Sequence, residues 1–489
     1  MSNKFDIIIV GGGIIGKSIA LRLEQEHLNI LCIDPHYKAN GSASLAAGAM
    51  LGAFAEITTD KTNEMDKKEL QFRIQSQQIY PEYVENVEEY SGRKVYQKNG
   101  TFIIANVAGK LDRFNLKTIE EELIQHKKTY ERIDPSAIPN FQPNREYLAY
   151  QALYLPFEGC VNTTDLLDAL TVALEKSERV NLMDDLVLSL LGNEQKITGV
   201  RTKENGEIYA NKVVLCAGVG IQKILDFSSD ISKKLPTLMP GKGVSLVMDT
   251  EVEFEHVIRT PNRDFACGTH IVPRSKNSVY IGATNRIANT PGLKDGVTAG
   301  ELHSLLHSAI HEINTDFRTC NVQMMNYGSR PITTDRYPLI GEVELEGLFV
   351  ATGTYRNGVL MAPLIGDIVT DKIMNRNVRY ENPFSPEQRR IKYNHVTTDK
   401  LLENGIKDLV SFIQEPAGFL PYNRSQELEH FLQILTKFAF LEEGEHQLLL
   451  EESQQLLRDY PVSEIVPQLF YRFSEYMKEQ KNMEEIIQV

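Results

Sequence analysis

Two arginines stand in glycine-rich settings late in the chain. Arg356 lies in "GTYRNGVL", between Gly353 and Gly358, and Arg330 lies in "GSRPITTDRYP". A planar guanidinium can hold a carboxylate through two parallel hydrogen bonds. Glycines let bare backbone amides approach an acceptor, and an apolar helix opening after Arg356 would add its unpaired N–H groups to the attraction for negative charge. The bland alternatives are a capping or surface residue for Arg356 and a structural ion pair for Arg330. Near the start, "VGGGIIG" places Gly11, Gly13 and Gly16 in G-x-G-x-x-G spacing, with Asp34 at the end of the next apolar run. The first glycine allows a tight turn, the second admits a pyrophosphate, and the third lets helix pack on strand, while the acid takes ribose hydroxyls. Asp34 could also be a plain turn residue in "DPHY". The fingerprint is compatible with NAD or FAD.

These residues need particular elements to position them. "KFDIIIV" predicts a buried strand, Ile14 to about Glu26 a helix, and "LNILCID" a second strand, which together make a β-α-β unit and imply a parallel sheet. A polar helix is expected from about Lys67 to Tyr90, and an amphipathic one over 163–176. Short strands follow, ending in "KVVLCAG". From about Pro236 to Tyr337 strand patterns dominate, with one helix near "GELHSLLHSAIHEI". Then "GLFVATG" reads as a buried strand, followed by an apolar helix from Val359 to about Met374. Beyond residue 390 strand patterns vanish. Residues 391–489 carry 9 Lys/Arg against 17 Asp/Glu and read as amphipathic helices broken near Gly444 and Pro461.

The chain has 489 residues and a net charge of -14, so nucleic acid is disfavoured as a main partner. No apolar run reaches the roughly 18 residues of a membrane helix, and the glycines near the start suit a strand and turn better than a signal peptide. The five cysteines (Cys32, Cys160, Cys216, Cys267 and Cys320) show no C-x-x-C spacing. They are expected to be buried thiols in a reducing compartment, with no metal site, and the cytoplasm is the default location.

Beyond the "VGGGIIG" fingerprint, five ordered segments carry a resemblance: "GSASLAAGAM" (41–50), "VVLCAGVG" (213–220), "YIGAT" (280–284), "GSRPITTDRYPLIG" (328–341) and "ATGTYRNGVLMAPLIG" (351–366). Over about residues 4–390 the chain resembles the D-amino acid oxidase family of flavoproteins, and glycine oxidases more than sarcosine oxidases. The resemblance implies a Rossmann-like FAD-binding domain (1–90, 140–235 and 338–390) interleaved with a mixed-sheet substrate domain (91–139 and 236–337), an α/β class; residues 391–489 lie outside the resemblance and are expected to add an acidic all-α extension. It implies non-covalent FAD held by Gly11, Gly13, Ile14, Ile15, Gly16, Asp34, Pro35, Ser42, Ser44, Ala46, Ala47, Gly48, Met50, Val187, Ala217, Gly218, Arg356, Asn357, Gly358, Val359 and Leu360. Arg330 matches the family's substrate-carboxylate arginine.

The match has departures. Glycine oxidases usually show a tyrosine where this chain has His270 and a methionine where it has Asn285. This chain also has no tryptophan. His270 and Asn285 flank "IVPRSKNSVYIGAT", a hairpin expected over the flavin, and Arg330, His270, Asn285 and Arg356 form the expected catalytic set. A strand histidine satisfied outside the pocket is the plainer reading of His270. The chemistry implied is oxidation of a C–N bond, with hydride passing to the flavin, the imine hydrolysing and oxygen as acceptor. The substrate would be a small amine or amino acid more polar than glycine, because polar pocket groups reject analogues that leave them unpaired. The alternatives are a dehydrogenase using a quinone or protein acceptor, and a flavoprotein subunit whose tail docks a partner, a carrier-bound substrate or a second copy of the chain.

Overall fold

A computed structural model describes residues 4–35, 42–59, 63–107, 111–226, 235–236, 238–262, 267–287, 296–333, 336–377 and 379–386. The helical extension expected over 391–489 lies outside the described residues. Two sheets organise the rest. The first has eight strands: β1 (Lys4–Val10), β2 (Ile30–Ile33), β6 (Val180–Met183), β7 (Val187–Gly192), β8 (Ile197–Thr202), β9 (Gly206–Leu215), β16 (Leu339–Glu342) and β17 (Leu348–Thr352). Its main order is β16-β17-β9-β1-β2-β6, and the β7–β8 hairpin joins along β9. From β17 to β6 the pairs are parallel. Parallel strands are covered on both faces, which is why "IIIV" and "LFVAT" read as continuous apolar runs.

One face of this sheet is covered by α1 (Ile14–Glu24), α2 (Glu64–Ser91), α4 (Thr163–Lys176) and the last helix, α7 (Gly358–Ile373), around a core that includes Ile7, Ile9, Ile19, Phe349 and Leu364. The other face packs Ile8, Val10, Val213 and Leu348 against α5 (Ile221–Asp226) and the β7–β8 hairpin. The helix predicted from Lys67 begins earlier, at Glu64, because Asn63 and Asp66 form a reciprocal capping box. It ends at Gly92, whose φ of 67° supplies the left-handed stop.

The second sheet has nine strands: β3 (Gln97–Asn106), β4 (Glu131–Ile133), β5 (Ala149–Val161), β10 (Leu238–Asp249), β11 (Val257–Arg259), β12 (His270–Ser275), β13 (Ser278–Gly282), β14 (Arg286–Ile287) and β15 (Val322–Thr333). Their order is β14-β10-β13-β12-β11-β3-β5-β4, with β15 also paired to β10, and only β11 and β3 run parallel. Residues 149–161 were expected in the nucleotide-binding portion, but β5 pairs with β3 along most of its length and belongs to this second sheet. The sequence offered no composition break there, and the partner strand lies about fifty residues upstream. Strand alternation gives the sheet two unlike faces. Val244, Leu246, Ile258, Ile271 and Ile281 point into an aliphatic core under α6 (Ala299–Ser308). Their neighbours Gly243, Ser245, Arg259, His270 and Gly282 fall on the opposite face. Helix α3 (Asp112–Gln125) packs against Ile103, Leu153 and Leu155 on that other face of β3 and β5. Among the described residues, no helix is long and apolar enough to cross a membrane.

Candidate active site

The N-terminal turn is built by backbone meeting backbone. Gly11 has a φ of 113°, and a Cβ there would lie 2.6 Å from the backbone of Cys216 and Ala217. The turn after β1 is thereby pressed against the turn after β9, where Ala217 and Gly218 sit. A Cβ on Gly16 would lie 2.0 Å from the Gly11 carbonyl oxygen, so only glycine lets α1 close on its own turn. Asp34 reaches back along the end of β2 and accepts a hydrogen bond from the Gly12 amide at 2.6 Å. Gly13 caps α1 without a side-chain bond, and no acid occupies the first turn. Ile14 and Ile15 begin that helix and are buried. Pro35, exposed, follows Asp34 in the turn.

Residues 42–50 join this turn to the second sheet. Ser44 Oγ accepts from the Ile14 amide at 3.1 Å, and Ser42 Oγ accepts from the Leu45 amide. The Ala46 carbonyl accepts from the hydroxyls of Tyr280 and Ser245, and the Ala47 carbonyl from Thr163. A Cβ on Gly48 would lie 2.7 Å from the Tyr280 ring, and one on Gly328 would lie 2.8 Å from the Ala43 Cα. Met50 bridges to Cys160 and rests with its sulfur 3.9 Å from Arg259 Nη1. The segment is small because it is clamped between helix start and sheet.

On the sheet face, Arg330 of β15 is in register with Gly241 of β10, but its side chain leans diagonally over Gly243. A Cβ on Gly243 would lie 2.2–2.5 Å from the guanidinium Nη2, Cζ and Nη1 atoms. Arg330 Nη1 donates to the Thr284 carbonyl at 3.1 Å and to Asn285 Oδ1 at 3.0 Å. Among the described residues Arg330 has no carboxylate partner. Asn285 Nδ2 donates to the Tyr355 hydroxyl, which also accepts from Arg356 Nη2 at 3.0 Å. Arg356 stacks over the Tyr355 ring with its Cζ 4.7 Å from the centroid. The Tyr355 amide donates to the Pro331 carbonyl, so the segment opening α7 is tied to β15 directly behind Arg330. Asn357 caps α7 with no side-chain cap bond, and the first turn, containing Gly358, Val359 and Leu360, carries no acid.

His270 lies in register between Arg259 on one side and Gly282 on the other. It stacks on Tyr280 with 5.8 Å between centroids, and a Cβ on Gly282 would lie 2.5 Å from its Nε2. Its Nδ1 is buried without a hydrogen-bond partner. Burial, reinforced by the charge of Arg259 and to a smaller degree that of Arg330, outweighs the opposing influence of Glu56 and of the Gly268 backbone and pushes its pKa down to about 3. The imidazole is therefore neutral at physiological pH.

Sequence reasoning missed the ionic cluster beside these groups. Arg259 donates to Glu56 Oε1 at 2.6 Å and to Asn262 Oδ1 at 2.8 Å, and Asn262 Nδ2 donates to Glu56 Oε2 at 2.7 Å. Burial alone would raise the Glu56 carboxyl, but the charges of Arg259 and Arg356, with the hydrogen bonds from Asn262 and Arg259, hold it well below the usual carboxylate range. Glu158 lies nearby, fully buried. Its Oε1 accepts from the amides of Phe54 and Ala55, and its Oε2 has no partner. Burial is the largest influence and pushes it up to about 7. A lone acid in the apolar run "LGAFAEI" was the available signal for Glu56, since a buried carboxylate needs a charged partner. The structure thus brings Arg330, Asn285, Tyr355 and Arg356 into one hydrogen-bonded chain, with His270 on the same sheet face. Val187 stands apart from that chain, in β7 within the core on the far face of the first sheet.

A model of the family described as FAD dependent oxidoreductase matches residues 6–372. The chain is 28% identical over 411 residues to a glycine oxidase from Geobacillus kaustophilus, covering 79% of this chain and 97% of that protein. It is 29% identical over 376 residues to the bifunctional protein ThiO/ThiG of Trichormus variabilis, covering 76% of this chain and 53% of that longer protein. The crystal structure of glycine oxidase from Geobacillus kaustophilus superposes with a TM-score of 0.67 at 27% identity, over 81% of this chain and all of that one.

Proposed function

The chain belongs to the FAD-dependent oxidoreductase family, and from that premise we propose that it oxidises the C–N bond of an amino acid or related carboxylate-bearing amine. Several observations of the fold suit an FAD. The turn at Gly11–Gly13 carries no side chains of its own, Asp34 stands at the end of β2, and neither the N-cap residue of α1 nor that of α7 makes a side-chain cap bond, with no acid in either first turn. We assign the nucleotide to the layers on the eight-stranded sheet and the substrate to the glycine-floored face of the nine-stranded sheet. When bound, the flavin supplies a two-electron acceptor for the hydride leaving the carbon beside the amine, and oxygen is the proposed final acceptor.

The observation that carries this reading is Arg330. Its guanidinium is held flat over Gly243 and fixed through Nη1, yet it has no carboxylate partner among the described residues. A charge so prepared suits a substrate carboxylate, and fixing the carboxylate orients the rest of the molecule. Arg356, stacked on Tyr355 beside the start of α7, is assigned to the flavin side, where fixed positive charge favours the reduced, electron-rich state. His270 brings a neutral, buried and unpartnered Nδ1. It is assigned to a polar group of the substrate beyond its amine and carboxylate. None of these steps calls for a dedicated base if the amine binds unprotonated.

The test is anaerobic mixing of the flavin-loaded protein with a panel of amines and amino acids while the flavin absorbance is followed. Amino acids carrying a further polar group, and polar or conjugated amines, are expected to bleach it faster than glycine or sarcosine. Bleaching by carboxylate-free amines alone would overturn the assignment of Arg330. In the variant Arg330→Lys the charge remains but the fork is lost. It should retain flavin and lose about 1.5–3 kcal/mol of transition-state binding, read as kcat/KM.

A further inference from the structure

Asn285 stands where a substrate contact was expected, yet both polar atoms of its amide are engaged by the protein. Oδ1 accepts from Arg330 Nη1, and Nδ2 donates to the Tyr355 hydroxyl. The side chain is buried, at 3% exposure. Its backbone neighbour is equally fixed. The Thr284 amide donates to the Val244 carbonyl, Thr284 Oγ1 accepts from the Val244 amide, and the Thr284 carbonyl takes the other bond from Arg330 Nη1. The turn after β13 is thereby pinned to β10, and Gly243, the residue before Val244, is the floor on which the guanidinium lies.

We propose that Asn285 is a positioning residue that acts through Arg330, with Gly243 as its counterpart from below, and that the two fix the carboxylate anchor and couple it to Tyr355 at the head of α7. This rests on the assignment of Arg330 to a substrate carboxylate. An arginine side chain has several rotatable bonds, and ordering it costs free energy on binding. Here that ordering is done in advance. The floor fixes the plane of the guanidinium, and the bracket of the Thr284 carbonyl and Asn285 Oδ1 fixes its rotation about the long axis. The amide orientation is dictated in turn, because its oxygen must face a donor and its nitrogen an acceptor. An aspartate at this position would keep the acceptor but present a carboxylate to Arg330, competing with the substrate.

The roles are separable with acetate, a carboxylate lacking an amine, titrated into the flavin-loaded enzyme while the flavin absorbance is followed. The unaltered enzyme is expected to bind acetate and to be reduced by amino acids. Failure of both would overturn the functional reading itself, and with it the premise of this proposal. Given that premise, Asn285→Leu and Gly243→Ala should each keep the flavin and weaken acetate about 10–100-fold, and Asn285→Asp should weaken it more. Asn285→Leu should also raise KM for every amino acid by a similar factor, whatever its side chain, with a smaller change in the rate of flavin reduction. If Asn285 touches the substrate directly, acetate binding would be unchanged and the penalty would vary with the substrate side chain, which would overturn the proposal. Should Asn285→Leu fail to load flavin, Gly243→Ala decides the matter, since unchanged acetate affinity in that variant would remove the floor from the argument.

Discussion

Glycine serves two different purposes in this molecule. At the turn after β1, Gly11 and Gly16 are required by backbone. The chain passes 2.0–2.6 Å from where their Cβ atoms would be, and Gly11 also takes a φ of 113°. In the nine-stranded sheet, Gly243 and Gly282 lie in strands without a positive φ, and what fills the space above them is flat side chains: the Arg330 guanidinium over one, the His270 imidazole and the Tyr280 ring over the other. The first pair holds the architecture of the turn. The second pair shapes a surface. A side chain has freedom to move aside that a backbone lacks, so the two pairs should respond differently to the same added methyl group.

The largest contrast is expected at Gly16. In Gly16→Ala the methyl meets the Gly11 carbonyl with nothing able to yield, and the loss should exceed about 4 kcal/mol. The measurable outcome is protein that fails to accumulate or is purified without flavin. A Gly16→Ala protein with a full complement of FAD would break the distinction drawn here.

Glu158 lies between the two cases, as a side chain that organises backbone. Its carboxyl takes the amides of Phe54 and Ala55, and a Cβ on Gly52 would lie 3.0 Å from its Oε2. Burial raises it from an ordinary 4.5 to about 7. The native state therefore keeps a proton that the unfolded chain has lost. The stabilisation from this group is complete below about pH 4.5 and lost as pH rises through about 7. Glu56, held low, contributes in the opposite sense: its stabilisation is present above the ordinary carboxylate range and disappears only in strong acid. Glu158→Gln removes the first effect alone. Thermal and denaturant unfolding at pH 5 and pH 8 should show the variant gaining about 2–3 kcal/mol on the parent across that interval. An unchanged difference between the two pH values would mean that Glu158 is ionised in the folded protein at both.

The smallest effect is expected at Gly282. Gly282→Ala places a methyl 2.5 Å from His270 Nε2 and from the Tyr280 ring edge, and the imidazole can rotate. Flavin should stay bound, stability should fall by about 1–2 kcal/mol, and the preference among polar amino acids should change. Unaltered preference in the anaerobic panel would take His270 out of the substrate site.

The same contrast explains what could be read from the sequence. The G-x-G-x-x-G turn was legible because its glycines fall within six consecutive residues at a fixed spacing, although the backbone that requires Gly11 to be bare comes from Cys216 and Ala217. The first parallel strands were legible because burial on both faces writes continuous apolar runs. Arg356 could be singled out by its glycine neighbours and Arg330 through the family resemblance, but the chain Arg330–Asn285–Tyr355–Arg356 could not. Its members come from β15, the turn after β13 and the loop before α7, and strand register alone brings them together. Gly241 and Gly243 in "PGKG" look like a weak turn until β15 is laid beside them. Arg259 in "HVIRTPN" gave no sign that its partner was Glu56, some two hundred residues earlier. The assignment of β5 failed for the same reason, since pairing with β3 is a long-range fact.

The two unlike faces of the nine-stranded sheet have an evolutionary meaning. Along β12 and β13, neighbouring residues answer to separate demands: Ile271 and Ile281 to the aliphatic core, His270 and Gly282 to the opposite face. A lineage that carries this sheet can exchange every second residue in search of a new ligand while the intervening ones hold the strands in place. Innovation and inheritance are thus interleaved at single-residue spacing. The sheet offers descendants a way to change what they recognise without solving the folding problem again.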